Sequence, residues 1–574
     1  MKEKITSNIL LPFLLISILI LLGLIDEKLN LNFDLTSDKK HTISDESIKV
    51  IKNIDDKVFI KVYLEGQFPS EFKKLSNSAL NFLKLIRNYS PNLIDFEFIN
   101  PNESNDNLEL IKQLVKKGLL PTDLEIINDN SKVNQIIFPG AIIYYKDKHI
   151  AINFLENNVN KRPAENINSS IEEIEYKFIT SILSLTNNKK KKIAFLEGNG
   201  ELDNNRILDV TKSILKDNYN LNYYYNVEKF DIKKYSLDSI SQEPSIEKQL
   251  DKIMQYTTIV IAKPSIPFNN LEKFLLDQYI MNGGKILWLI DGVKANMDSL
   301  QFNNGSFIAT QNNLNLNDQL FKYGARINYN IIEDLRATKI PIITGYSNNL
   351  PQQEFFTWPY FPLLNSNSKH PISRNLDAIK CNFASSIDTI QNNIKKTILL
   401  KSSKKTRTIS APVKISLNML KNPPKLETYN KENQIIAVLL EGEFESVFKN
   451  RMLPKNQKIS FIEKSKPTSM IIVSDADIIA NDVSSNGNIY PLGYDKFIEY
   501  IYKGNKTFII NAVQHLCNSP NVNQLKSKKI KLRLLDKSIT KSYRNLIQLL
   551  NIFVPLLFLL IIFYIKTTRN AKNF

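Results

Sequence analysis

The stretch Lys191-Lys-Ile-Ala-Phe-Leu-Glu-Gly-Asn-Gly-Glu-Leu202 decides the fold. Lys191 to Leu196 reads as a short apolar strand, and Glu197 to Glu201 as the loop leaving its carboxyl end. A helix with Ile207, Val210, Ile214 and Leu215 inward follows. Further strands are expected at Leu221 to Val227, Thr258 to Ala262 and Lys285 to Ile290. The helix Asn269 to Met281 precedes the last of them, with Gly283-Gly284 as its carboxy-terminal cap. Strands alternating with helices in this way predict an α/β fold with a doubly wound parallel sheet. Ligands on such sheets bind at the carboxyl ends of the strands. The candidate cleft is therefore Glu197, Asn199, Glu201 and Asp291, joined by Asp475 after the strand Met470 to Val473.

Upstream lies a separate α/β unit, residues 46–165. Lys57 to Leu64 alternates apolar and polar like a half-buried strand. A helix with Phe72, Leu75, Ala79, Phe82, Leu83 and Ile86 on one side comes next, then a second alternating strand, Ile94 to Ile99. That order is a βαβ unit, whose parallel strands need the crossover. A short helix over Leu108 to Lys116 precedes two strands, Gln135 to Tyr145 and His149 to Phe154. With Phe138-Pro139-Gly140 before the hairpin, this order resembles a thioredoxin-like domain without redox cysteines; any small α/β domain is the alternative. Residues 166–188 read as one linking helix, with Ser169 and Glu172 as a capping box.

Both ends of the chain are apolar. Asn545 to Ile565 contains no charge, and about 21 residues at roughly 1.5 Å each match a hydrocarbon core. Ile5 to Ile25 is its counterpart, and Lys2 and Lys4 before it place the amino terminus in the cytoplasm. No small-x-small cleavage site follows, so residues 1–25 read as an uncleaved signal anchor. Residues 189–525 form the main domain and 526–544 a juxtamembrane segment with eight Lys/Arg against one Asp. Residues 545–565 are the second span, and 566–574 a cytoplasmic tail. Gln548, Asn551 and Pro555 share one helical face of that span and are candidates to face a membrane partner; the alternative is that Gln548 and Asn551 merely sit near the interface.

Net charge is +17 over 574 residues, yet the lysines form no single aromatic-interleaved patch, which argues against nucleic acid. Two cysteines, Cys381 and Cys517, and four histidines at no ligand spacing argue against a zinc site. Residues 301–406, rich in Asn, Ser and Thr and broken by prolines, read as long loops rather than core, with strands expected at Asn382 to Ile390 and Lys396 to Lys401. Within them FFTWPYFPLL (Phe355 to Leu364) is either a partner-binding loop presenting Trp358 and Tyr360 or a loop folded onto the sheet. Ile435 to Glu441 and Ser469 to Val473 are expected to extend the central sheet.

Several runs, in order, resemble the GldG family: KKKIAFLEGNGEL, ARINYNIIEDL (Ala325 to Leu335) and VSDADIIAND (Val473 to Asp482). YPLGYDKF (Tyr490 to Phe497), FIINAVQHL (Phe508 to Leu516) and LRLLDK (Leu532 to Lys537) continue the likeness. That family comprises auxiliary, substrate-binding-like subunits of the gliding-motility-associated ABC transporter of Bacteroidetes. The resemblance implies a periplasmic α/β body, related to class I glutamine-amidotransferase-like folds, beside an ABC permease and a separate cytoplasmic ATPase in the inner membrane. The family pattern often carries His where this chain has Asn199.

No catalytic, cofactor-binding or metal residue is assigned. Cys381 and Cys517 lack the strand-to-helix elbow and histidine partner of an amidotransferase nucleophile. Asp475, Asp477 and Asp482 are either oxygen ligands for a divalent cation or, for the first two, a helix cap. Gly504-Asn-Lys-Thr507 lacks the first glycine of a phosphate loop, since Glu499 stands there. The expected function is a non-catalytic, doubly anchored periplasmic subunit. The alternatives are a membrane-tethered hydrolase using Glu197, Glu201, Asp291 and Asp475, or a ligand-free scaffold.

Overall fold

Alternation in Lys57 to Leu64 becomes strand β1 (Val58–Val62), with Val58, Ile60 and Val62 buried and the residues between half exposed. The computed structural model describes residues 42–517 apart from 67, 103–106, 129–130, 156–162, 187–189, 217–224, 235–244, 303–304, 348–349, 365–369, 375 and 454–460. Beyond these it describes 543–544, 548–557 and 560. Residues 42–527 form one compact unit, and 1–41 with 528–574 form another.

After helix α1 (Asp45–Lys52) and β1, helix α2 (Ser70–Tyr89) buries Leu75, Ala79, Phe82, Leu83 and Ile86, as its spacing predicts. It carries the chain to β2 (Ile94–Phe98), parallel to β1. Helix α3 (Asn107–Lys116) and a hairpin, β3 (Thr122–Asn128) with β4 (Ser131–Ile137), precede β5 (Gly140–Tyr145) and β6 (Lys148–Asn153). The sheet order is β2-β1-β5-β6. Gln135 to Tyr145 is thus two strands, broken at Phe138-Pro139. A Cβ at Gly140 would stand 2.4 Å from the Ile152 carbonyl oxygen, so only glycine lets the two backbones approach there.

The expected linking helix is instead two helices, α4 (Pro163–Glu172) and α5 (Ile174–Thr186), packed into this same core. Ser169 and Glu172 lie inside α4 rather than at its start, so they form no capping box. Phe178 of α5 stacks on Phe82 at 5.6 Å and meets Phe154 at a tilt, 5.5 Å away. Lys177 is buried because its ammonium finds the carbonyls of Asn153 and Phe154 at 3.0 and 2.9 Å. Leu183 touches both this core and the next one.

The central sheet begins with β7 (Lys191–Glu197), α6 (Leu208–Lys216) and β8 (Tyr225–Asp231). Helix α7 (Ile246–Ile253), β9 (Thr258–Ala262), α8 (Asn270–Met281) and β10 (Lys285–Leu289) follow. Much later come β11 (Lys395–Lys401), β12 (Ile435–Gly442), β13 (Thr468–Val473) and α9 (Lys503–Leu516). The order is β11-β12-β13-β10-β9-β7-β8. The five strands from β8 to β13 are parallel, and β12 and β11 extend them antiparallel, each to its neighbour. Every residue of β9 and β10 is buried, as a strand covered on both faces requires. Ile193, Val260 and Leu287 pack on one side with Val210 of α6 and Phe508 of α9. Ala194, Ile261 and Trp288 pack on the other with Phe274 of α8. Asn269 and Glu272 make the capping box that starts α8, and Gly283 at φ 96° ends it.

Residues 301–406 are not loops. Among the described residues they hold eight complete strands, of which β11 and Ile387–Thr389 fall where strands were expected, and a core that includes Ile331, Ile340, Trp358, Tyr360, Phe361 and Phe383. The strand Leu350–Leu364 pairs with Ala337–Ser347; its first half is exposed and its second half buried. Trp358 and Tyr360 are therefore interior, 0% and 3% exposed, and do not face a partner. Aromatic contacts explain why: Trp358 lies 5.0 Å from Tyr360, which lies 5.8 Å from Phe383. Composition points away from a core here because several polar residues, such as Thr338, Ser386 and Ser402, are buried and hydrogen-bonded.

Among the described residues no helix is long and apolar enough to cross a membrane. The expected first span and most of the second lie outside the described residues. Residues 548–557 of the second are helical, and Leu549, Leu550, Ile552, Phe553, Val554, Leu556 and Leu557 are all at least half exposed.

Candidate functional site

The carboxyl ends of β9, β10 and β13 carry Lys263, Asp291 and the pair Asp475 and Asp477, in that order. Parallel packing of three buried strands makes these charged residues neighbours: Lys263 and Asp291 are the first polar groups beyond their apolar runs, and Asp475 and Asp477 follow Val473 two and four residues on. Lys263 adopts φ 56°, turning its ammonium toward Asp291 at 3.4 Å and into an ion pair with Asp477. Asp291 accepts from the Ala476 amide at 2.7 Å, tying β10 to the turn after β13. Asp475 accepts from the Asn382 amide at 2.6 Å and from the Asp477 amide at 2.9 Å. It is the N-cap of the 3₁₀ turn Ala476–Ile479, the capping role expected of it.

Electrostatics follow from this enclosure. Burial opposes the charge on Lys263, but Asp477 and Asp291 outweigh it and hold the ammonium above its ordinary range. Burial raises the Asp291 carboxyl, with Lys263 opposing. Asp475 is pushed well above the usual carboxylate range, first by burial and then by Asp477 and Asp291. Cys381 packs against this cluster as a free, fully buried thiol, pushed well up by burial and by Asp475. Such a thiol is a poor nucleophile. Cys517 is likewise free and buried, at the end of α9.

Glu197, Asn199 and Glu201 form a second, adjacent group. Glu197 pairs across the sheet edge with Lys229 of β8. Asn199 is buried; its Nδ2 donates to Glu272 at 3.0 Å and to the Pro267 carbonyl at 3.3 Å. Its carbonyl accepts from the amides of Ser265 and Ile266, both at 2.9 Å, and its own amide donates to Glu201 at 2.7 Å. Burial pushes the Glu201 carboxyl up to about 7. The structure thus joins Asp291 to Asp475 through a shared turn and joins Glu197, Asn199 and Glu201 through one loop. Asp291 and Asp475 accept from backbone amides and Glu197 pairs with a lysine, whereas Glu201 accepts from the Asn199 amide through one oxygen and leaves Oε1 without a partner. Among the described residues no three His, Cys, Asp or Glu are grouped to hold a metal ion.

Beside Lys263 and Asp291 opens a cleft of roughly 800 Å³, walled by residues 293–299 and the strand Ser306–Gln311. Lys263 and Asn312 in this cleft were not singled out from sequence. The signal for Lys263 was present, a lone lysine after the buried run Thr258 to Ala262. Nothing local marks Asn312, which arrives through an insertion.

A mostly parallel sheet with a cleft at its strand ends, joined to a smaller four-stranded sheet, defines a mixed α/β protein. The chain belongs to the ABC-type uncharacterized transport system family, whose model matches residues 190–512, more than half of its length. It is an auxiliary, transport-associated component in that sense, with permease and ATPase partners implied in general. Residues 37–144 match a domain of unknown function, DUF7088. No curated protein matches the chain. Among solved structures, "mmIFT52 N-terminal domain" aligns over 57% of this chain and 99% of its own, at 13% identity and a TM-score of 0.30.

Proposed function

We propose that this chain is a non-catalytic, membrane-anchored subunit of an ABC-type complex of the GldG kind, associated with gliding motility or secretion. Family membership supports the transport role. The observation that carries the anchoring is the helix over residues 548–557, whose apolar side chains are exposed all round. A helix with so broad an apolar surface needs either a protein core or lipid, and among the described residues none covers it. Its partners are a permease in the inner membrane and a separate cytoplasmic ATPase, with Gln548, Asn551 and Pro555 as the face offered to the permease. The body, residues 42–517, lies in the periplasm between two spans, 5–25 and 545–565. The order β2-β1-β5-β6 supports a thioredoxin-like reading of the first unit, and the mostly parallel seven-stranded sheet an amidotransferase-like reading of the second.

Placement of the body is tested by labelling. Tyr346 is 72% exposed, and both native cysteines are buried, so Tyr346→Cys gives a thiol on a quiet background. Reaction with a membrane-impermeant maleimide in intact cells is expected; protection until the cells are lysed would place the body on the other side.

A further inference from the structure

We propose that Glu201 is a proton-operated latch on the wall of the cleft. Protonated, it keeps the loop of residues 197–201 locked to residues 263–266; loss of the proton releases both segments.

The geometry asks for a proton. Glu201 Oε2 accepts from the Asn199 amide at 2.7 Å, but Oε1 is sealed from solvent and has no partner. Asn199 Oδ1, in the same loop, is a second buried acceptor without a donor. Among the described residues no ion pair reaches Glu201. A carboxylate held this way is costly to charge. Protonation removes the charge and makes Oε1 a donor, in a loop that also holds the orphaned Asn199 oxygen. Burial accordingly pushes the carboxyl up to about 7, against the pull of two backbone amides and Lys233. The other charged groups facing it are engaged elsewhere. Glu197 pairs with Lys229, and Asp231 accepts from the Lys233 amide at 2.9 Å. Glu272, in the first turn of α8, accepts from Asn199 Nδ2 and from the Asn269 amide, both at 3.0 Å, with the Lys233 ammonium 4.0 Å away. Lys263 is directed to Asp291 and Asp477.

What the latch holds is visible in the bonds around it. The Asn199 carbonyl accepts from the Ser265 and Ile266 amides, the Ser265 hydroxyl donates to the Gly200 carbonyl at 3.0 Å, and the Leu202 amide donates to the Ala262 carbonyl at 3.0 Å. The loop reaches these partners through φ 71° at Gly200, where a Cβ would stand 2.2 Å from Ser265 Oγ. Lys263, Pro264 and Ser265 line the cleft, so the protonation of Glu201 sets how firmly that wall is held. Opening hydrates the carboxylate, so the closed form is favoured below about 4.5 and loses that advantage as pH rises through 7. The latch is independent of the transport role, and either can fail without the other.

Amide hydrogen exchange on the full-length protein in mild detergent, read by mass spectrometry from pH 5 to pH 8, tests it. Labelling times are scaled so that intrinsic exchange is equal at each pH. Peptides covering residues 197–202 and 263–268 are expected to open roughly seventyfold more at pH 8 than at pH 5, the ratio linkage gives for a carboxyl at about 7 closed and about 4.5 open. A peptide within α8 is expected to stay level. Glu201→Gln, uncharged at every pH, is expected to keep both segments closed and level throughout. If Glu201→Gln does not fold, the wild-type series decides alone. Wild-type segments that stay level, a rise shared equally by α8, or a rise that persists in Glu201→Gln would each overturn the latch.

Discussion

Individual side chains at the strand ends behave as clamps. Glu201 titrates near 4.5 when unfolded and about 7 when folded, because burial disfavours its charge. Its contribution is fully present below about 4.5 and is lost as pH rises through 7. Glu201→Gln should therefore melt close to wild type at pH 5 and above it at pH 8, by roughly 2–3 kcal/mol at most. A gap that does not widen with pH would contradict this. His515 works on the acid side: burial pushes its imidazole down to about 4, so its contribution is lost as pH falls from 6.5 through 4. Lys263→Met leaves Asp291 and Asp477 without their counter-ion and should lower stability by about 2–3 kcal/mol in chemical denaturation. Asp291 and Asp475 were legible in the sequence because each follows an apolar strand, and strand ends converge in a parallel sheet. Their tie through the Ala476 amide was not, because it joins residues 185 apart in the chain.

At the scale of elements, alternation and helical spacing read β1, α2, β7, β9, α8 and β10 well, since each obeys a single period. They failed where a helix was buried on nearly every face or where strands paired with partners far along the chain. Helix α5 is buried on nearly every face, so its tertiary role in the first core was hidden behind the look of a linker. The insertion was misread because its strands run two to fifteen residues and pair with partners far along the chain. One pair of substitutions tests the corrected picture of the aromatic run. Trp358→Ala should cost about 3–5 kcal/mol by opening a core cavity. Phe355→Ala, three residues earlier on the exposed half of the strand, should stay within about 0.5 kcal/mol. Equal effects in thermal melts would place both rings in the same environment and contradict the strand assignment.

For the molecule as a whole, the proposal sets the cleft-bearing α/β body and the exposed apolar helix against a membrane assembly. Polar residues on that helix are worth about 0.6–2 kcal/mol each in lipid, enough to select a partner but not to hold the chain in place. Asn551→Leu should accordingly keep the protein in the membrane fraction while reducing the permease recovered with it severalfold. The most direct measurement is affinity purification of the tagged full-length chain from native membranes in mild detergent, with the co-purifying proteins identified by mass spectrometry. The account predicts stoichiometric recovery of one ABC permease and its ATPase. Recovery of the chain with neither would contradict it.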